Sequence, residues 1–142
     1  MYLKNSPYKD QILKEVQFPY GTFYFLDRII ISEIKQGVSF TYEQAKPVIE
    51  TALEFYGEDA SIGYISNRIN NYALAPQDWL KFFRERENIH TVGIVAYTPI
   101  GLTNIILEKI FIRSRVKRFT SLDFAIAWTR TQNSIATEGI TA

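Results

Sequence analysis

The side chains best placed for chemistry in this sequence cluster at the ends of two short apolar runs. Ser61-Ile62-Gly63-Tyr64-Ile65-Ser66 and Thr91-Val92-Gly93-Ile94-Val95-Ala96 both have the pattern of buried strands. In an open α/β sheet, ligands gather beyond the carboxyl ends of such strands. Those ends supply Ser66, Asn67, Arg68, Tyr97 and Thr98, and the loop after the first run supplies Asn70, Asn71 and Tyr72. Helix starts at Pro76 and Pro99 would present free N–H groups nearby, which favour a small anion. The competing role of these Asn and Ser residues is to build turns and caps. They assign no catalytic residue and no metal ligand.

Other candidates are weaker. His90 is the single histidine and there is no cysteine, so a His-rich or thiolate metal site is excluded. His90 sits at a strand entrance, the wrong end of a parallel strand for ligand chemistry, and is expected in a solvated loop. Glu50 and Glu54 lie four apart on a helix and are expected to be two exposed carboxylates, not a glycosidase pair. Lys109, Arg113, Arg115, Lys117 and Arg118 form a basic cluster. It reads either as a solvated connector or as a site for an anion, an acidic protein or a lipid headgroup. Aromatic residues are not interleaved with it in sequence, which counts against RNA stacking. No G-x-S-x-G elbow, P-loop, G-x-G-x-x-G or H-E-x-x-H motif is present. No cofactor is expected.

The elements that must position these residues follow from periodicity. Val16 to Phe18, Gly21 to Leu26 and Ile29 to Ile34 are rich in β-branched and aromatic residues, and the last two predict a hairpin across Asp27-Arg28. Thr41 and Gln44 have capping-box spacing at the start of a helix carrying Val48, Ile49, Ala52 and Tyr56 on one face. Pro47 predicts a local kink and Gly57 a C-terminal stop. A helix from Pro76 carries Trp79, Leu80, Phe82 and Phe83, and another after Thr98-Pro99 carries Leu102, Ile105, Ile106 and Ile110. Val116 to Phe119 make a last strand, and Ser121 caps a final helix. Residues 1–12 and 132–142 lack periodicity and read as flexible ends of a single domain spanning 1–142.

The order is a hairpin followed by αβαβαβα. It predicts an α/β fold with a mixed, mostly parallel five-stranded sheet. Right-handed crossovers between neighbouring strands place the helices mainly on one face. The other face would need cover from the aromatic hairpin or from a second subunit, so a homodimer is expected. If the two glycine-bearing strands are adjacent and in phase, Gly63 and Gly93 lie side by side, beneath a closely packed helix or a ligand cleft. The chain has 142 residues and a formal charge of +1, which argues against generic nucleic-acid binding. It shows neither a signal segment nor a membrane-length apolar run, so cytoplasm is the expected location and stable membrane insertion is not expected.

The second half carries a family resemblance. Asn88 to Ala96 as a strand, Gly101 to Ile112 as an apolar helix, the basic strand Val116-Lys117-Arg118-Phe119, and the Ala125-x-x-Trp128 pattern in Ser121 to Trp128 together resemble the SpoIIAA-like (STAS/SEC14-type) small-domain family. The resemblance spans about residues 15–131. It implies a βα superhelix with a mixed sheet, no known catalytic apparatus, and binding of a protein partner. Anti-anti-sigma members carry a phosphorylatable Ser at a helix start in an Asp-Ser-Ser-Gly-like motif. This chain has Ser66-Asn67-Arg68 instead, so phosphorylation is not carried across. The resemblance points to a non-catalytic regulatory or protein-interaction module meeting its partner through Asn67 to Tyr72 and Tyr97 to Gly101. Its SEC14 side points to the alternative, a module for a small apolar or lipid ligand.

Overall fold

The computed structural model describes residues 1–85, 89–99 and 102–141. Asn88, Gly101 and Ala142, which the sequence patterns include, lie outside the described residues. Strands β1 (Lys14–Phe18), β2 (Gly21–Leu26) and β3 (Ile29–Ile34) pair antiparallel in succession. The two-residue turn between β2 and β3 contains no glycine, and Arg28 takes the left-handed conformation at φ +56°. Such a backbone needs external support. Arg28 Nε donates to the Ser61 carbonyl at 2.9 Å, and the Arg28 carbonyl accepts from Gly63 N–H at 3.0 Å.

The short strand β4 (Ser39–Phe40) leads into α1 (Tyr42–Tyr56). The capping box forms as expected: Gln44 N–H donates to Thr41 Oγ1 at 3.3 Å and Thr41 N–H to Gln44 Oε1 at 3.1 Å. The helix runs unbroken through Pro47 and stops at Gly57, whose φ is +88°. Its last residue, Tyr56, places its hydroxyl 2.5 Å from the Leu26 carbonyl and 3.0 Å from that of Ile29, fastening α1 to the hairpin.

The parallel half of the sheet is built from β5 (Ile62–Arg68), β7 (Ile89–Ala96) and β8 (Arg115–Phe119). The strand order is β1-β2-β3-β5-β7-β8, with β3, β5, β7 and β8 mutually parallel. The intervening elements are β6 (Ala73–Leu74), α2 (Asp78–Glu85) and α3 (Leu102–Phe111). The chain closes with α4 (Leu122–Thr141). The mixed, mostly parallel α/β architecture is the expected one. The sheet has six strands where five were expected, because β1 adds an antiparallel edge to the hairpin.

The pleat sends alternate residues to opposite faces, and each face has its own core. Phe23, Phe25, Ile30, Ile34, Ile62, Val92 and Ile94 pack with Val48, Ala52, Trp79, Phe83 and Ile105 of α1, α2 and α3. Tyr24, Leu26, Ile29, Ile31, Ile65 and Val95 pack with Leu122, Ala125 and Ile126 of α4 and with Leu3. Three helices share one face because three successive crossovers join neighbouring parallel strands. α4 follows the last strand, is under no crossover constraint, and covers the other face. That face is filled by the chain itself, so the surface expected to drive a homodimer is not open. Residues 1–12 contribute two short 3₁₀ turns that bring Leu3 to full burial, and residues 132–141 continue α4.

Gly63 pairs with Thr91 and Gly93 with Ile65, so the two glycines are offset along the ladder instead of side by side. Gly63 lies directly beneath α4, whereas Gly93 has ordinary contacts with Phe119 and Ile65. Beside Gly63, the Thr91 hydroxyl is buried with no hydrogen-bond partner among the described residues. A buried, unsatisfied hydroxyl costs about 1–3 kcal/mol. Thr91→Val is therefore expected to stabilise the fold by about 1 kcal/mol, read as a rise in the thermal midpoint of about 3 °C.

Candidate functional site

Three consecutive residues end β5, and the pleat divides them. Ser66 and Arg68 point to the α1–α3 face, and Asn67 points to the opposite one. Each enters a different network.

Arg68 is committed inside the fold. Its Nη1 and Nη2 donate to the two carboxylate oxygens of Glu108 at 2.7 and 2.6 Å, and its Nε donates to Ser66 Oγ at 2.9 Å. Its guanidinium carbon lies 5.5 Å from the Tyr72 ring centroid. Glu108 is 0% exposed on α3 and also accepts from Trp79 Nε1 of α2 at 3.0 Å. Desolvation pulls the guanidinium pKa down, but Tyr72 and Glu108 outweigh it and hold the pKa above its ordinary value. Ser66 is 1% exposed, with Tyr72 Oη 2.9 Å from its hydroxyl. The sequence places Arg68 among the ligand- or partner-binding residues; in the fold its guanidinium is held bidentate by a fully buried carboxylate.

Asn67 belongs to a second network. Its Nδ2 donates to Glu33 Oε2 at 2.8 Å and to the Met1 carbonyl at 2.9 Å, and its Oδ1 accepts from Tyr97 Oη at 2.7 Å. Glu33 Oε2 also accepts from Leu3 N–H at 2.8 Å. Burial raises the Glu33 pKa, and the hydrogen bonds from Leu3 and Asn67 offset this only partly. Tyr97 is pushed up to about 12, first by burial and then by the Glu33 and Asp123 charges.

A raised carboxylate pKa means that the folded state holds this proton more tightly than the unfolded chain. The contribution of Glu33 to stability is fully present below the ordinary glutamate value of 4.5 and is lost as pH rises through the raised value. The stability of Glu33→Gln relative to the parent should therefore increase as pH is raised above 4.5, in paired urea titrations across pH.

Six of the eight expected residues do come together. Arg68, Asn70, Asn71, Tyr72, Tyr97 and Thr98 line one cleft of about 270 Å³, with Ala96, Asn104 and Ile105. Its loop is anchored by hydrogen bonds to the end of β3 and the segment after it. Asn71 N–H donates to Gln36 Oε1 at 2.9 Å, Gly37 N–H to the Asn71 carbonyl at 2.8 Å, and Asn70 Nδ2 to the Ile34 carbonyl at 3.1 Å. The parallel β4–β6 pairing, Ser39 to Ala73 and Phe40 to Leu74, holds the far side. Asn71, Tyr97 and Thr98 are exposed at the rim.

A second cavity, of about 70 Å³, lies between α1, α2 and the sheet. Val48, Ile49, Ala52, Trp79 and Phe82 form its helical walls, Phe23 and Ile30 its floor, and Ser66, Arg68 and Tyr72 its polar end. Sequence periodicity marks the helical residues as packing stripes. It carries no signal that separates a cavity wall from a filled core.

His90 is half-buried at the start of β7 rather than in a solvated loop, with Nε2 2.5 Å from Asn133 Oδ1. Glu50 and Glu54 are exposed, as expected. Among the described residues, no three His, Cys, Asp or Glu side chains converge as metal ligands, and no helix is long and apolar enough to cross a membrane.

No protein-family model matches the sequence, and no curated protein matches it either. Among solved structures, the fold is similar to that of an uncharacterized DUF3478-family protein with a SpoIIAA-like fold from Shewanella loihica PV-4. The match covers 82% of this chain and 90% of that one at 17% identity, with a TM-score of 0.52. At this identity the likeness shows the fold: this chain has the SpoIIAA-like architecture that its second half resembles.

Proposed function

We propose that this SpoIIAA-like domain is a non-catalytic regulatory module, acting in the cytoplasm, that binds a protein partner at the strand-end cleft. The observation that carries this is the commitment of Arg68 to Glu108. With its cation neutralised, the cleft presents the neutral groups of Asn71, Tyr97 and Thr98 on an anchored loop. A neutral, shallow, polar rim suits peptide backbone and side-chain amides better than an anion. It also offers neither an activated nucleophile nor a paired acid and base.

A photo-crosslinking residue at Asn71 tests this in native lysate. The expected result is one reproducible protein adduct that disappears when Tyr97→Ala and Thr98→Ala are added. An adduct unaffected by those changes, or the absence of any adduct, would overturn it. A second role, binding of a small apolar ligand, is favoured by the largely apolar cavity between α1 and α2. Xenon should then bind there, shift the methyl resonances of Val48 and Ile49, and be excluded by Ala45→Phe on the cavity wall. Unaltered binding in that variant would eliminate the cavity.

A further inference from the structure

The basic cluster acquires a shape in the fold that it lacks in the sequence. Strand β8 ends the sheet, and among the described residues it has a paired neighbour on one side only. Arg115, Lys117 and Arg118 are exposed along it, with Lys109 and Arg113 exposed just before it. Residues 109–120 contain these five cations and no acidic residue. The nearest preceding acid, Glu108, is buried against Arg68. The nearest following one, Asp123, bears on the Tyr8 hydroxyl.

The fold also brings aromatic rings to these charges. Lys117, Arg118, Phe119, Thr120, Phe124 and Trp128 line one open cleft of about 380 Å³. Phe119 and Trp128 are in ring contact at 5.4 Å, and Lys117 Nζ lies 5.6 Å from the Phe119 centroid. Phe124 is 66% exposed at the start of α4. A free strand edge, an unbalanced positive field and an exposed aromatic shelf therefore coincide.

We propose that the β8 edge is a docking site for an extended, acidic peptide segment of another protein, added as a seventh strand. Backbone groups on an edge strand are unpaired on their outer side and can template a further strand. On the α4 face carboxylates of the added strand would meet Arg115 and Lys117, with apolar side chains at its end resting on Phe124 and Trp128, and on the other face a carboxylate would meet Arg118. The same charge repels a second β8 edge from another copy. The opposite edge, β1, carries one lysine and one glutamate and offers no complementary field. Charge thus selects an acidic partner over self-pairing. This site is separate from the strand-end cleft.

The experiment uses the full chain and a short blocked peptide of glutamates ending in valines, followed by fluorescence anisotropy and amide hydrogen exchange. Saturable binding is expected, with slowed exchange over 115–119. Raising salt from about 50 to about 300 mM should weaken binding, because the contacts are exposed charges. The exposed double change Lys117→Glu/Arg118→Glu should lower affinity about tenfold or more. Phe124→Ser should also weaken it, while Asn71→Ala and Tyr97→Ala should leave it unchanged. Equal binding of a lysine–valine peptide, undiminished binding by the charge-reversed chain, or protection confined to 69–72 would each overturn the proposal. Capture of single-stranded RNA or anionic phospholipid vesicles in place of the peptide would overturn it too, by assigning the patch to phosphate.

Discussion

Glu108→Ala is expected to lower folding stability by about 3–5 kcal/mol, read as a fall in the urea midpoint at unchanged slope. The reason is what it leaves behind. Glu108 is wholly buried, the Arg68 side chain is only 13% exposed, and the pair is bidentate at 2.6 and 2.7 Å. Without the carboxylate, a guanidinium remains in a site closed by Trp79, Tyr72 and Ser66, and the Trp79 indole N–H loses its acceptor as well. An isolated charge in such a site costs far more than the loss of one surface ion pair. Glu108→Gln keeps an acceptor for the indole and should cost less than alanine. The double change Arg68→Met/Glu108→Leu removes both charges, leaving chiefly the unpaired indole, worth about 1–3 kcal/mol. The double variant should therefore be more stable than Glu108→Leu alone. If the two were equally unstable, Arg68 would have no desolvation penalty and the pair would be incidental.

That pair also marks the limit of what could be read from residues alone. Local signals carried well: the Thr41–Gln44 box, the Gly57 stop, and the β-branched runs flanking Asp27-Arg28 each involve groups within a few residues of one another. The parallel order followed from alternating periodicities and the handedness of crossovers. The Arg68–Glu108 contact spans 40 positions, and Glu108 sits in α3 between Leu107 and Lys109. Nothing near either residue in sequence announces the other. The strand-end reading collects residues of which six line one cleft, but it carries no sign that Arg68 is paired with Glu108. The pleat separated Asn67 from Ser66 for the same reason: alternation was visible, but the partners on each face were not. The side chosen by α4 is hidden too, since among the described residues α4 does not link two strands of the sheet and no crossover rule sets its hand. Its placement brings Phe124 and Trp128 beside a basic strand whose own aromatic is the terminal Phe119.

Gly63→Ala should destabilise the protein by about 1–3 kcal/mol, the usual range for overpacking, although alanine is intrinsically the better tolerated residue in a regular element. A Cβ built on Gly63 would lie 2.2 Å from Thr129 Cγ2 and 2.9 Å from Thr91 Oγ1. Thr129 cannot swing aside freely, because it is 0% exposed and its Oγ1 donates to the Ala125 carbonyl at 2.8 Å. The backbone cannot yield easily either: Gly63 N–H holds the Arg28 carbonyl, which supports the left-handed turn of the hairpin. Relief must come from α4 moving off the sheet, away from Leu122, Ala125 and Ile126, which are all fully buried. Thr129→Ser deletes the offending methyl and keeps the hydroxyl, so Gly63→Ala/Thr129→Ser should recover most of the loss. A double-mutant cycle in urea denaturation separates the outcomes. A positive coupling of about 1 kcal/mol or more locates the constraint at the α4–β5 contact. Additive losses would mean that α4 does not press on Gly63, and that the second face of the sheet is covered less closely than these distances require.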